Sequence, residues 1–229
     1  MAEQSSDQQF CLLNFILFWV VGATTVLGIP FYAYFFGFSL FDWTLFLVMY
    51  IITGMGITVG YHRLVAHQSF ECRDWVKACL LVIGGWALQN SALMWCADHI
   101  RHHAKTDQEE DPYNVNKGFW HSHCGWLFYD TPHRTAKYEV RLRRDPIVMW
   151  QHRHYWLIVV SGLLLPCLLG LWHGSWHGAF SAFLMGGLLR LFMVLNSTFT
   201  INSLCHMIGT QPHGTQDSSR DSSVAWSCS

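Results

Sequence analysis

The side chains with most chemistry to offer in this 229-residue chain are its 14 histidines. Neutral imidazole binds Fe, Cu, Zn or Ni through one ring nitrogen, so several converging on a point would make a transition-metal centre. His99, His102 and His103 are spaced i, i+3 and i+4, which on a helix puts His99 on the same face as both partners. His62 and His67 are five residues apart. On an ideal helix they diverge by roughly 140°, so they meet a common centre only if they flank it or if the helix loosens. His206 follows Asn202 by four residues, giving an amide and an imidazole on one face at the end of an apolar run, where a polar pair is costly and usually functional. The spacing leaves the choice of metal open.

The other histidines lack such a set. His121 and His123 alternate in a Phe/Trp-rich stretch, which suits further ligands or interfacial packing alike. His133, His152, His154, His173, His177 and His213 have no companions at ligand spacing and are expected to be surface or structural groups. The eight cysteines are scattered, without a C-x-x-C pair, and read as small buried hydrophobes.

The elements that must position these side chains are written in the apolar runs. The chain is 52% hydrophobic, 16% aromatic and only 13% charged, too apolar for an average soluble domain. Runs at about residues 11–36, 41–61, 155–172 and 178–206 are each long enough to cross a bilayer core of roughly 30 Å as a helix, and none alternates like a barrel strand. Twelve of the 14 Lys and Arg lie between Arg63 and Arg153, so the positive-inside rule places residues 62–154 in the cytosol as a cap, with both termini on the same side. Residues 75–95 are apolar enough to suggest a fifth span. A fifth crossing would put the two halves of the basic loop on opposite sides, so an interfacial or re-entrant helix is expected there. Gly37 to Leu40 form a short hairpin turn, and Pro30 is expected to kink the first span. The polar first nine residues lack the features of a removable signal peptide. A net charge of -1 leaves no concentrated basic face for nucleic acid.

Taken together, GYHRLVAH (residues 60–67), Gln89-Asn90, WCADHIRHH (95–103), Asp111-Pro112, Gly118-Phe119, HCGW (123–126) and LNST through NSLCH (195–206) resemble the membrane acyl-CoA desaturases of the stearoyl-CoA (delta-9) type, from about Phe10 to Arg220. The resemblance implies an all-α membrane protein, a single domain of four transmembrane helices with a cytosolic cap holding a di-iron site. It implies His62, His67, His99, His102, His103 and His206 as iron ligands, with Asn202 acting through a water. It also implies an acyl chain lying near Gln89, Asn90, Trp95, Asp98, Thr198 and Phe199. The activity so implied is O₂-dependent oxidation of a saturated fatty acyl chain to a cis olefin, with electrons from a ferredoxin or from cytochrome b5 and its reductase.

The sequence departs from that pattern in two places. The family's further H-N-Y-H-H-type box is expected some thirty residues after His206, whereas the chain ends at Ser229. C-terminal incompleteness, partial iron loading and little activity are therefore expected. Ala97 and Tyr129-Asp130 stand where acyl-CoA enzymes carry cations, so acyl-carrier protein or a lipid-bound acyl chain joins acyl-CoA as a candidate carrier. Alternatives are a fatty acyl hydroxylase, a non-catalytic membrane scaffold, and a haem or transport bundle. The last is disfavoured because the six main histidines lie at membrane exits, outside the span centres. A bacterial inner membrane is favoured over the endoplasmic reticulum by the short N-terminal tail.

Overall fold

The computed structural model describes residues 9–130, 136–210, 218 and 220. Four helices are long and apolar enough to cross a membrane: α1 (Leu12–Phe36), α2 (Leu40–Ala66), α8 (Tyr155–His173) and α9 (Trp176–Met207). Between α2 and α8 lie the shorter helices α3 (Asp74–Gly85), α4 (Ala92–Lys105), α5 (Phe119–His123), α6 (Ala136–Leu142) and α7 (Pro146–Arg153). A two-residue ladder pairs β1 (Gln9–Phe10) with β2 (Tyr129–Asp130). The chain is thus a multi-pass membrane protein whose middle third forms a helical cap.

Each span departs from regular α geometry somewhere. Thr24–Gly28 in α1, Gly56–Ala66 in α2 and Phe183–Leu189 in α9 are π-helical, and α8 carries Pro166 in its interior. The expected disturbance near Pro30 takes the form of the π stretch just before it, which absorbs the missing N–H. The hairpin between α1 and α2 turns at Gly37, whose φ of 71° suits glycine, and Ser39 caps α2 in a box with Asp42. The buried Asp42 carboxylate also accepts from Ser181 at 2.8 Å, fastening α2 to α9 at the end remote from the cap.

The apolar stretch at residues 75–95 is two helices rather than one. At 12 residues, α3 is about 18 Å long and falls short of a bilayer core. It lies on the π segment of α2 at backbone contact, so that a Cβ on Gly56 would stand 2.4 Å from the Gly84 nitrogen. The chain then breaks at residues 86–91 and re-enters as α4, whose start is held by Gln151 accepting from the Ala92 N–H at 2.9 Å. The main core lies where these helices meet α2, around Tyr61, Leu81, Leu93, Cys96 and Val148.

Candidate metal centre

The π stretch at the cap end of α2 settles how His62 and His67 face one another. The His67 N–H donates to the His62 carbonyl at 2.9 Å, an i→i+5 bond that brings residues five apart nearly into line. Their ring centroids are 4.4 Å apart. Arg141 of α6 fixes this helix end by donating to the Val65 and Ala66 carbonyls at 3.2 and 3.1 Å.

From α4, His99 and His103 reach the same point. His99 Nε2 lies 3.0 Å from Nε2 of both His67 and His103. A ring nitrogen has one lone pair or one N–H, so it completes only one of these contacts as a hydrogen bond. A shared cation accounts for both, since nitrogens bound to one ion at about 2.1 Å in four- to six-fold coordination stand about 3.0–3.4 Å apart. Ligand atoms of His62, His67, His99 and His103 all lie within 4.8 Å of one another. Burial, and then the imidazoles of His103, His62, His102 and His67, press the His99 pKa down to about 2, keeping the ring in the neutral form a metal needs. Trp95 stacks on His99 at 4.9 Å and fixes its plane.

His102 and His206 form a second pair outside that cluster, with ring centroids 5.5 Å apart. The buried Asp111 carboxylate lies 2.8 Å from His102 Nδ1 and also accepts from the Asp107 and Tyr113 N–H groups. Ser218 Oγ lies 2.8 Å from His206 Nδ1. Both rings are therefore held by the Nδ1 edge, the arrangement that orients metal-ligating imidazoles.

A pocket runs up to this centre between α1, α2's neighbours and α9, with His99 in its lining. Gln89, Asn90, Trp95, Thr198, Phe199 and Asn202 line it too, so those sequence candidates share one cavity. Gln89 donates to Thr198 Oγ1 at 2.9 Å and accepts from the Trp95 indole at 3.2 Å, a polar bridge across otherwise apolar walls. Asp98 is not in the lining; it pairs with Arg101 at 3.4 Å. Asn14, Trp126 and Tyr155 also line the pocket. Sequence reasoning passed over them, although a lone Asn in the first span was a signal.

The remaining histidines are dispersed. His123 contacts Ser203 at 3.0 Å and ties α5 to α9, and His152 contacts Ser91 at 2.7 Å. His154 contacts the Trp150 carbonyl at 2.8 Å, His173 stacks on Phe41, and His177 lies against Phe36. His121 has a buried Nε2 with no hydrogen-bond partner among the described residues. His133 and His213 fall outside the described residues.

A bundle of apolar spans whose internal pocket ends on a cluster of imidazoles defines a class: membrane proteins with a histidine cluster facing an apolar cavity. The fatty acid desaturase family model matches residues 41–228, and the chain belongs to that family. It is 32% identical to the sn-2 palmitoyl-lipid 9-desaturase of Nostoc sp., over 96% of this chain and 74% of that protein. It is 38% identical to a probable acyl-CoA desaturase of Schizosaccharomyces pombe and 35% identical to the hex-5-enoyl-[acyl-carrier protein] acetylenase of Moorena producens, each over 76% of this chain. The chain spans 37% and 58% of the lengths of those two relatives.

Proposed function

We propose that the chain is the catalytic region of an O₂-dependent oxidoreductase that introduces a cis double bond into a saturated fatty acyl chain. The observation that carries this reading is the presence of His99 in two settings at once, as a member of the four-imidazole cluster and as part of the lining of the pocket. His62, His67, His99 and His103 would hold one iron; His102 and His206, with Asn202 through a water, would hold another. Bound iron supplies the power to oxidise an unactivated C–H bond with O₂ and two electrons.

The chain's own residues do the rest. Leu195, Phe199 and Trp95 remove methylenes from water, at about 0.8 kcal/mol each, and so hold an acyl chain beside the cluster. The bridge pairs the Trp95 indole N–H with the Gln89 carbonyl and one Gln89 N–H with Thr198, which lowers the cost of placing polar groups in an apolar wall. Asp111 and Ser218 fix the second pair of rings before any substrate arrives.

The described lining of the pocket contains no Lys or Arg. Phosphate-rich CoA gains little at such a mouth, so the reading favours an acyl chain carried on a membrane lipid, as in the name of the Nostoc relative. The test is to place the chain in nanodiscs with Fe²⁺ and a reduced ferredoxin or cytochrome b5 system. Deuterated stearoyl is offered on phosphatidylcholine, on acyl-carrier protein or on CoA, and the products are resolved by mass spectrometry. An O₂-dependent 9-olefin, small in yield and most abundant from the lipid, is expected; iron-loaded protein that yields no olefin from any carrier would overturn the reading.

A further inference from the structure

Arg190 lies inside α9, in the apolar part of the bundle, and is completely buried. No carboxylate among the described residues is within ion-pair distance of it. Three backbone carbonyls take its N–H groups instead: Nε donates to Gly186 at 3.1 Å, Nη2 to Gly162 at 2.9 Å, and Nη1 to Trp86.

These acceptors are ones the fold has left short of ordinary helical donors. Gly162 stands four residues before Pro166, which has no N–H to give it. Trp86 closes α3, and the chain turns away beyond it. Gly186 belongs to the π-helical part of α9, where the regular hydrogen-bond ladder is displaced. A guanidinium, with donors splayed in a fixed plane, can serve three such carbonyls at once, which a lysine ammonium does with poorer geometry.

The segment that Arg190 grips leads directly into the pocket wall. After Trp86 the chain passes through left-handed backbone at Leu88 (φ 56°) and Asn90 (φ 75°), conformations that L side chains rarely adopt and that persist only when the surroundings impose them. Between them sits Gln89, the polar bridge of the pocket. Downstream, Tyr155 accepts from the Asn90 N–H at 3.1 Å and Gln151 from the Ala92 N–H at 2.9 Å. Upstream, the Trp86 ring lies so close to Gly162 that a Cβ there would come within 2.5 Å of it, and its indole donates to Ser161 at 3.0 Å.

We propose that Arg190 is a positioning residue for the pocket. By gathering the carbonyls of Trp86, Gly162 and Gly186 onto one guanidinium, it sets where the turn bearing Gln89 and Asn90 sits, and hence which stretch of a bound acyl chain lies against the histidine cluster. This rests on the acyl reading of the pocket given above.

The test uses the whole chain in nanodiscs and stearoyl lipids that carry a photoreactive diazirine either at mid-chain or near the methyl end. After irradiation, labelled peptides are mapped by mass spectrometry. In the unaltered chain the mid-chain probe is expected on the peptides bearing Gln89, Trp95 and His99. In Arg190→Met the share of label on those peptides is expected to fall at least about threefold as the chain slides, since displacements near 1 Å already disrupt alignment. The Co²⁺ absorption of the histidine cluster is expected to remain unchanged.

Arg190→Lys, which keeps the charge but not the fork, is expected to lie between the two. A Pro166→Ala background returns to Gly162 an N–H donor from its own helix and keeps the Met variant foldable. Identical mid-chain labelling in the unaltered, Lys and Met proteins overturns the role of Arg190 alone. Absence of pocket labelling in the unaltered chain overturns the acyl reading, and this proposal with it.

Discussion

At the scale of single residues, the telling division is between His102 and His103. Their spacing from His99 revealed that all three share a side of α4. Neighbours on a helix nonetheless point about 100° apart, so His103 turns toward α2 and His102 toward α9. Which neighbour stands on each side is a tertiary fact that no local spacing encodes. Asp111, whose carboxylate sits behind His102, tests the independence of the two sets. Asp111→Asn is expected to weaken metal binding at the His102–His206 pair by about 10- to 100-fold and to leave the four-imidazole cluster intact, as read by Co²⁺ titration. His152 offers a test by pH. Burial, and then the Arg143 cation, hold its pKa below the ordinary histidine value against the pull of Glu139, with Arg153 adding to the depression. The folded state thus favours the neutral ring that contacts Ser91 at the start of α4. On acidification the unfolded chain takes up its proton first, near pH 6.5, so this contribution to stability is full above that pH and is lost as pH falls below it. Thermal midpoints between pH 8 and 5 are expected to fall less steeply in His152→Gln than in the unaltered chain.

At the scale of elements, the cap end of α2 carries the most consequence. Composition marked it as the end of a span, and spacing could show only that two histidines five apart must flank a common centre or sit on a loosened helix. It could not show that the loosening is π-helical from Gly56 to Ala66, because that follows from what α2 packs against. Gly56 and Gly84 let α3 lie on that stretch at backbone distance, and Gly84 also faces the Tyr61 ring, where a Cβ would come within 2.5 Å. Gly84→Leu is therefore expected to cost about 3 kcal/mol through overpacking and to disturb His62, one residue beyond Tyr61. A lowered thermal midpoint together with an altered Co²⁺ spectrum checks it; a lowered midpoint alone would confine the damage to packing. The break at residues 86–91 was likewise hard to see, since apolar residues resume directly beyond it from Ala92 to Trp95. Only Gly84-Gly85 and Asn90-Ser91 hint that one apolar stretch is two helices.

At the scale of the whole molecule, the four spans were the most legible feature, because lipid tolerates few alternatives to a long apolar helix. The β1–β2 ladder was not legible, being two residues on each side and too short for any alternating pattern. It nevertheless decides how α1 is held. The ladder, the Cys11 N–H on the Phe128 carbonyl at 2.8 Å and Asn14 on the Leu127 carbonyl at 2.9 Å anchor one end of that helix to the cap. Only 11% of its most apolar window is buried, against 56% for α9. Leu17, Phe18 and Val21 still form one side of the pocket. That side of the cavity is thus a panel pinned along one edge, with lipid pressing on its outer surface. The thickness of the surrounding membrane becomes a setting of the protein: in short-chain lipids α1 must tilt to hide its length, swinging about the ladder and loosening the seal. Leakage of water into the cavity, followed by the emission of a fluorescent fatty acid bound there, is expected to rise as the host lipid shortens. Replacing Asn14 with Leu, which frees the pin, is expected to bring the same leak on in thicker membranes.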